Sequence, residues 1–272
     1  MRISYSARSH VGMVRAKNED NLFANGVYID EGHSNCPFSI DGYSENPLVL
    51  AICDGMGGED NGEVASLHAV EVLGGIENDI KFATQRKTAR LVQDYVNRVN
   101  NEIQAKYALE NKRVGTTLAL VIASYSGIQL FNIGDTRVYK FGKTGLYKLT
   151  NDHTFSADKV KCGIITENQA IFDKDRHKLT KCIGIGIDHT VERYPLIKEK
   201  CRLLICSDGL TDMVSDDQIE EIMYCGECAS KVSDELLKLA LQKGGRDNVS
   251  LIVADVSVGK TLLLNAINKF RR

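Results

Sequence analysis

The clearest run of apolar positions in the chain is Val49-Leu50-Ala51-Ile52-Cys53. It contains no charge and reads as a strand buried on both faces. It stops at Asp54, and three of the next four residues are glycine. A carboxylate at the tip of such a strand is held rigidly, and the glycines let the backbone turn sharply and approach a ligand. Residues 2–8 alternate apolar and polar, predicting another strand, and Leu22-Phe23-Ala24 a short one. Residues 27–47, rich in Gly, Ser and Asn, read as a polar connection. Two helices follow. Glu63 to Asn78 carries Ala65, Ala69, Val72 and Leu73 at helical spacing, and Thr88 to Leu109 carries Leu91, Tyr95, Val99 and Ile103. These stripes face a sheet.

From Gly115 to Leu149 the pattern is all β, with strands expected at Thr117–Ala123, Gly127–Ile133, Arg137–Phe141 and Leu146–Leu149 joined as a meander by glycine turns. Residues 150–185 break the rhythm and read as an irregular or short-helical surface excursion, the kind of segment that forms lids and recognition loops. The opening pattern then returns. Arg202-Leu203-Leu204-Ile205-Cys206 leads to Ser207-Asp208-Gly209. Helices are expected over Ser215–Met223 and Ala229–Lys243, and Asp247 stands directly before the apolar Val249–Val253 strand.

Three strand ends therefore offer a carboxylate: Asp54, Asp208 and Asp247. Singly, each has an ordinary explanation. Asp54 could cap the helix beginning near Glu63, and the Asp135 of Gly134-Asp135 could be a hairpin residue. If the ends converge, three anions repel one another in a partly dry site by several kcal/mol, on the order of a simple Coulomb estimate. Raised pKa values or bound divalent cations relieve that repulsion. All-oxygen ligands favour hard ions, Mg²⁺ or Mn²⁺, over zinc.

Composition narrows the classes. The chain of 272 residues is 43% hydrophobic and 26% charged with a net charge of −2, so no basic surface suits nucleic acid or an anionic membrane. No apolar run approaches a membrane span, and the first residues start no signal-peptide pattern. Eight cysteines are scattered, several within apolar strands, and Cys225-Gly226-Glu227-Cys228 is a lone CxxC without a second pair. A reducing, cytoplasmic setting is expected.

Five motifs stand in one order: Arg15-x-x-Asn18-Glu19-Asp20, Asp54-Gly55-Met56-Gly57-Gly58, Gly134-Asp135-Thr136-Arg137, Ser207-Asp208-Gly209-Leu210 and Gly245-Arg246-Asp247-Asn248. Together they resemble the metal-dependent protein serine/threonine phosphatases (the PPM or type 2C family) in their compact bacterial form. The resemblance spans roughly residues 2–256 and implies an α+β fold, a four-layer αββα sandwich of two antiparallel sheets flanked by helix pairs. It implies a catalytic domain over 1–256, with a flap at about 150–185 that selects substrate.

The implied activity is hydrolysis of phosphoserine and phosphothreonine on proteins by a water bridging two divalent ions, without a phosphoenzyme. Asp54 would bridge the two Mn²⁺ or Mg²⁺ ions with the Gly55 carbonyl on one of them, and Asp208 and Asp247 would complete the other. Glu19 and Asp20 would hold metal-bound waters, directly or through further hydrogen bonds. Asp135 matches the position of a third, weaker ion. Arg15 matches the arginine that grips phosphate. The implied partners are phosphorylated proteins and a cognate Ser/Thr kinase, with no nucleic acid and no membrane, and the enzyme would act as a monomer. Met56 and Glu59 stand where some members carry His, so the resemblance assigns no acid for the leaving group.

The alternative class is a catalytically silent relative that binds phosphoproteins. Retention of Arg15 and the three aspartates favours the enzyme. Residues 257–272 are expected to form a helical tail with Leu263, Ala266, Ile267 and Phe270 on one face. Its Gly259-Lys260-Thr261 is no nucleotide loop, because Ala254 occupies the position where such a loop needs glycine.

Overall fold

The fold is built on strands whose two faces are both covered. The structure, a computed structural model, describes residues 1–57, 61–110 and 112–257. One sheet contains β1 (Arg2–His10), β4 (Phe38–Ser44), β9 (Arg137–Gly142), β10 (Gly145–Lys148), β12 (Cys201–Cys206) and β13 (Val249–Ser257), in the order β10-β9-β12-β13-β1-β4. The other contains β2 (Asp20–Ala24), β3 (Val27–Tyr28), β5 (Leu48–Met56), β7 (Leu118–Ser124), β8 (Gly127–Ile133) and β11 (Glu192–Arg193), in the order β11-β8-β7-β5-β2-β3, with β6 (Gly115–Thr116) paired to the end of β5. Neighbouring strands in both sheets are antiparallel.

The period of two decides where each side chain goes. Along β5, Leu48, Leu50 and Ile52 point into the layer between the sheets. Val49, Ala51 and Cys53 point the other way, against α1 (Gly62–Lys81) and α2 (Gln85–Tyr107). β13 divides likewise: Ile252, Ala254 and Val256 face the other sheet. Its Val249, Leu251 and Val253 pack under α6 (Asp216–Cys225) and α7 (Ala229–Gln242). The result is the expected α+β, αββα sandwich with three apolar layers. Strands covered on both faces read as unbroken apolar runs, which is why Val49–Cys53 stood out.

Three expectations are corrected. The polar connection 27–47 contains β3, a 3-10 turn at Glu31–His33 and the edge strand β4, paired along β1 from Ile3↔Ser44 to Ser9↔Phe38. Its side chains are half-exposed or exposed, so the apolar signal is weak, as befits an edge. The meander over 115–149 is interrupted: β8 ends one sheet, and after the Gly134 turn (φ +99°) the chain enters the other as β9, paired with β12. The short helix α5 (Asp208–Thr211), directly after β12, was not expected.

The excursion at 150–185 holds α3 (Phe155–Lys161) and α4 (Glu167–Ala170), each with a threonine cap, in agreement with the sequence. β13 runs through Ser257, and the rest of the expected helical tail lies outside the described residues.

Because Ile52 is fully buried between the sheets, Ile52→Ala should lower unfolding stability by about 2–5 kcal/mol. Chemical denaturation would read this as a reduced midpoint with an unchanged slope.

Candidate active site

Strand pairing brings the first two acids together: Asp20 opens β2 and lies opposite Asp54 on β5. Asp54 does not cap α1, whose N-cap is Asn61. Instead its backbone is clamped. The Thr117 N–H and Thr116 Oγ1 donate to its carbonyl at 2.9 and 3.0 Å, and its own N–H donates to Thr117 Oγ1 at 2.9 Å. The neighbouring Gly55 N–H donates to the Glu19 carbonyl at 3.1 Å. A Cβ on Gly55 would lie 2.1 Å from the Gly62 carbonyl oxygen and 2.5 Å from that of Glu19, so only glycine lets these backbones meet.

From the other sheet, β12 and β13 deliver Asp208 and Asp247. Ser207 Oγ donates to Asp20 Oδ2 at 2.7 Å and accepts from the Ser250 N–H at 3.0 Å, tying the two sheets together at the site. Gly209 packs on the Asn248 carbonyl, which a Cβ would approach to 1.9 Å. Asp247 Oδ2 accepts from Arg15 Nη2 at 2.6 Å. Asp135 sits in the crossover from β8 to β9, with His153 behind it. The His153 Nδ1 accepts from the Gly134 N–H at 3.0 Å and its Nε2 meets Glu192 at 2.7 Å, a structural role.

Glu19, Asp20, Asp54, Asp135, Asp208 and Asp247 thus lie at one end of the sandwich, along with Arg15 and Gly55. The electrostatics record the crowding. Burial, then repulsion by Asp20, Asp208, Asp135 and Asp247, holds the Asp54 carboxyl well above the usual range. Asp20 is pushed up to about 7, chiefly by burial and further by Asp208 and Asp247, although Ser207 and Ser250 oppose the shift. Asp135 is pushed up to about 8 by burial, then by Asp208 and Asp152. Glu19 is raised by burial and by the neighbouring Glu63, whose Oε2 is buried without a hydrogen-bond partner among the described residues. A cluster of carboxylates with these shifts takes up either protons or cations. The donors are all oxygens, which suits hard divalent ions held together with several waters.

One group at the site went unread in the sequence. His177, in the 150–185 excursion, reaches Asp208 Oδ2 from Nδ1 at 3.3 Å and Asp212 Oδ2 from Nε2 at 3.4 Å. Its ligand nitrogen and one oxygen each of Asp135 and Asp208 lie within 4.8 Å of one another. Beside it, Arg176 Nη2 meets Asp212 at 3.1 Å. Nothing in the spacing around His177 marks it, since only the fold carries the excursion back onto α5. Glu59 lies outside the described residues.

Comparison with known proteins gives a consistent result. The family model described as protein phosphatase 2C matches residues 37–242. The chain is 33% identical over 259 residues to the serine/threonine protein phosphatase PstP of Mycobacterium tuberculosis, a match covering 93% of this chain and 45% of that protein. The chain therefore spans about half the length of PstP. It is 29% identical over 252 residues to the serine/threonine phosphatase stp of Listeria monocytogenes, covering 91% of this chain and 94% of that one. Among solved structures, the catalytic domain of PstP in complex with two manganese ions superposes with a TM-score of 0.74 at 31% identity, covering 94% of this chain and 99% of that one.

The raised carboxyls set a pH dependence. A carboxyl that binds its proton more tightly folded than unfolded stabilises the fold at acid pH. It loses that contribution as pH rises from the ordinary 3.8 through about 7 for Asp20 and about 8 for Asp135. Chelator-treated protein should therefore melt at falling temperature from about pH 5 to pH 8. Asp20→Asn should flatten the profile, and Mn²⁺ added at the upper end should recover the melting temperature by binding the folded state alone. Thermal melts followed by circular dichroism check all three, and a flat wild-type profile would contradict the crowding.

Proposed function

The chain belongs to the protein phosphatase 2C family, and from that premise we propose that it is a metal-dependent phosphatase releasing phosphate from serine and threonine residues of proteins. The observation that carries this reading is the meeting of Asp20, Asp54, Asp208 and Asp247 beside Arg15, with the Asp20 and Asp54 carboxyls raised by burial and by their neighbours' charge. A protein that only bound phosphoproteins would have no use for so costly a cluster of anions.

In this reading Asp54, Asp208 and Asp247, with the Gly55 carbonyl, would hold two divalent ions. Glu19 and Asp20 would orient waters around them, and Asp135 would serve a third, weaker ion. Such ions, when bound, lower the pKa of water and draw off charge from the phosphoryl oxygens. The protein's own part is placement. The backbone bonds to Asp54 and Gly55 fix the end of β5, and the Ser207 bridge fixes Asp20 against Asp208. Arg15, on the exposed side of Asp247, offers a planar fork to two phosphate oxygens.

The four buried cysteines do not suit a phosphoenzyme. Burial pushes the Cys53 and Cys206 thiols far up, and Cys182 and Cys201 up to about 11. Residues 150–185, which approach the acids through His177, would select among substrates. Its partners in this reading are phosphorylated proteins and a cognate Ser/Thr kinase, and it acts as a cytoplasmic monomer. No helix among the described residues is long and apolar enough to cross a membrane.

The wild-type protein should hydrolyse p-nitrophenyl phosphate and a phosphothreonine peptide with Mn²⁺ and stop when the ion is chelated. Asp208→Asn should lower kcat by about 100-fold or more while circular dichroism and melting temperature stay near those of the wild type. Full activity in that variant would sink the assignment of Asp208. Absent or chelator-insensitive turnover in the wild type would leave phosphoprotein binding as the better account.

A further inference from the structure

The phosphate-gripping arginine of this reading stands on an exposed loop. Residues 13–17 are all exposed, Met13 and Val14 by 67% and 69%, so no apolar packing sets the position of the tip. Several side chains hold its stems, among them His10 at Gly12 and Asn35 at Asn18, and Asn248 touches both stems at once. Asn248, buried to 5% exposure, donates both hydrogens of its Nδ2, one to the Val11 carbonyl at 2.9 Å and one to the Lys17 carbonyl at 2.8 Å. Its Oδ1 accepts from the Glu19 N–H at 2.8 Å. These three partners leave the amide no choice of orientation, since two carbonyls need donors and one N–H needs an acceptor. The loop also touches the segment 245–247 that leads into β13. The Met13 N–H donates to the Gly245 carbonyl at 2.7 Å, and Gly12 has φ +86° and no room for a Cβ, which would sit 2.3 Å from the Asp247 carbonyl oxygen.

We propose that Asn248 is the positioning residue of the phosphate-binding loop, closing residues 11–17 into a fixed arch so that Arg15 keeps its register beside Asp247. The proposal rests on the phosphatase reading for Arg15. A primary amide is required because it alone among side chains of this size supplies two donors and an acceptor in one plane. Asp keeps the acceptor for Glu19 but turns a carboxylate toward two carbonyl oxygens, and Ala leaves all three backbone groups without a partner.

The test separates this role from mere support of the fold. In Asn248→Ala and Asn248→Asp, KM for p-nitrophenyl phosphate should rise about tenfold, with kcat within about threefold of the wild type. On an Arg15→Ala background the same changes should add less than about twofold to KM, because the interaction they serve is already gone. Hydrogen exchange at the amides of residues 13–19 should be faster in both variants than in the wild type. The proposal is overturned if KM is unchanged while only the melting temperature falls, or if the full increase in KM survives without Arg15. If Asn248→Ala does not fold, Asn248→Asp carries the test alone. If the wild type turns over no phosphate ester, the phosphatase reading fails by itself. Exchange then still decides the arch: accelerated exchange supports it, and unaltered exchange overturns it.

Discussion

Like charges held together against their own repulsion are the constraint on which the rest of the molecule depends. Asp20 and Asp54 face each other across one pair of strands, and Asp208 and Asp247 arrive from the opposite sheet. Left to themselves these side chains would part, because each anion raises the cost of ionising the next. They cannot part because their backbones belong to strands buried on both faces. Three apolar layers hold β5, β12 and β13 in register, and the site sits where those strands run out. Hydrophobic burial far from the acids thus supplies what the acids themselves oppose.

Holding strands is not enough, since a carboxylate displaced by an ångström serves a different geometry. The last adjustment comes from small residues and short hydrogen bonds. Gly55 and Gly209 let main chains touch where any Cβ would collide, at Glu19 and Gly62 in one case and Asn248 in the other. Hydroxyls fill the rest: Thr117 lies between the Asp54 N–H and Thr136 Oγ1, and Ser207 between Asp20 and the Ser250 N–H. A hydroxyl can both donate and accept, so each of these side chains settles two neighbours. The acids and the residues beside them in the motifs therefore form a single unit, with the charge on one residue and its placement on the next.

Much of this could be read from the chain because the acids end apolar runs. Asp54, Asp208 and Asp247 each mark a point where a buried strand meets solvent, and that contrast is local. The long helices were legible for the same reason, their stripes repeating several times over. What escaped depends on partners distant in sequence. β4 has the half-buried alternation of an edge, and only its pairing with β1 defines it. The step from β8 to β9 resembles any glycine hairpin until β12 is seen to take β9 into the other sheet. His177 sits among mixed charges that give no period. Asn248 was visible as part of a motif, but its work is done on the carbonyls of Val11 and Lys17, more than two hundred residues earlier.

The two kinds of group at the site also differ in how firmly they are held. The acids descend from rigid strands, whereas Arg15 and His177 come from exposed segments. Arg15 and Asp247 are close, at 2.6 Å, but half of the guanidinium side chain and a third of the carboxylate face solvent. An ion pair that open contributes little, roughly 0–1 kcal/mol, because water competes for both partners. A phosphate monoester offers the same guanidinium more negative charge and a bidentate fit, so it can take the place of Asp247 at small expense. A rigid floor of acids beneath a readily exchanged arginine is an arrangement in which the substrate's charge, and not the protein's, completes the site.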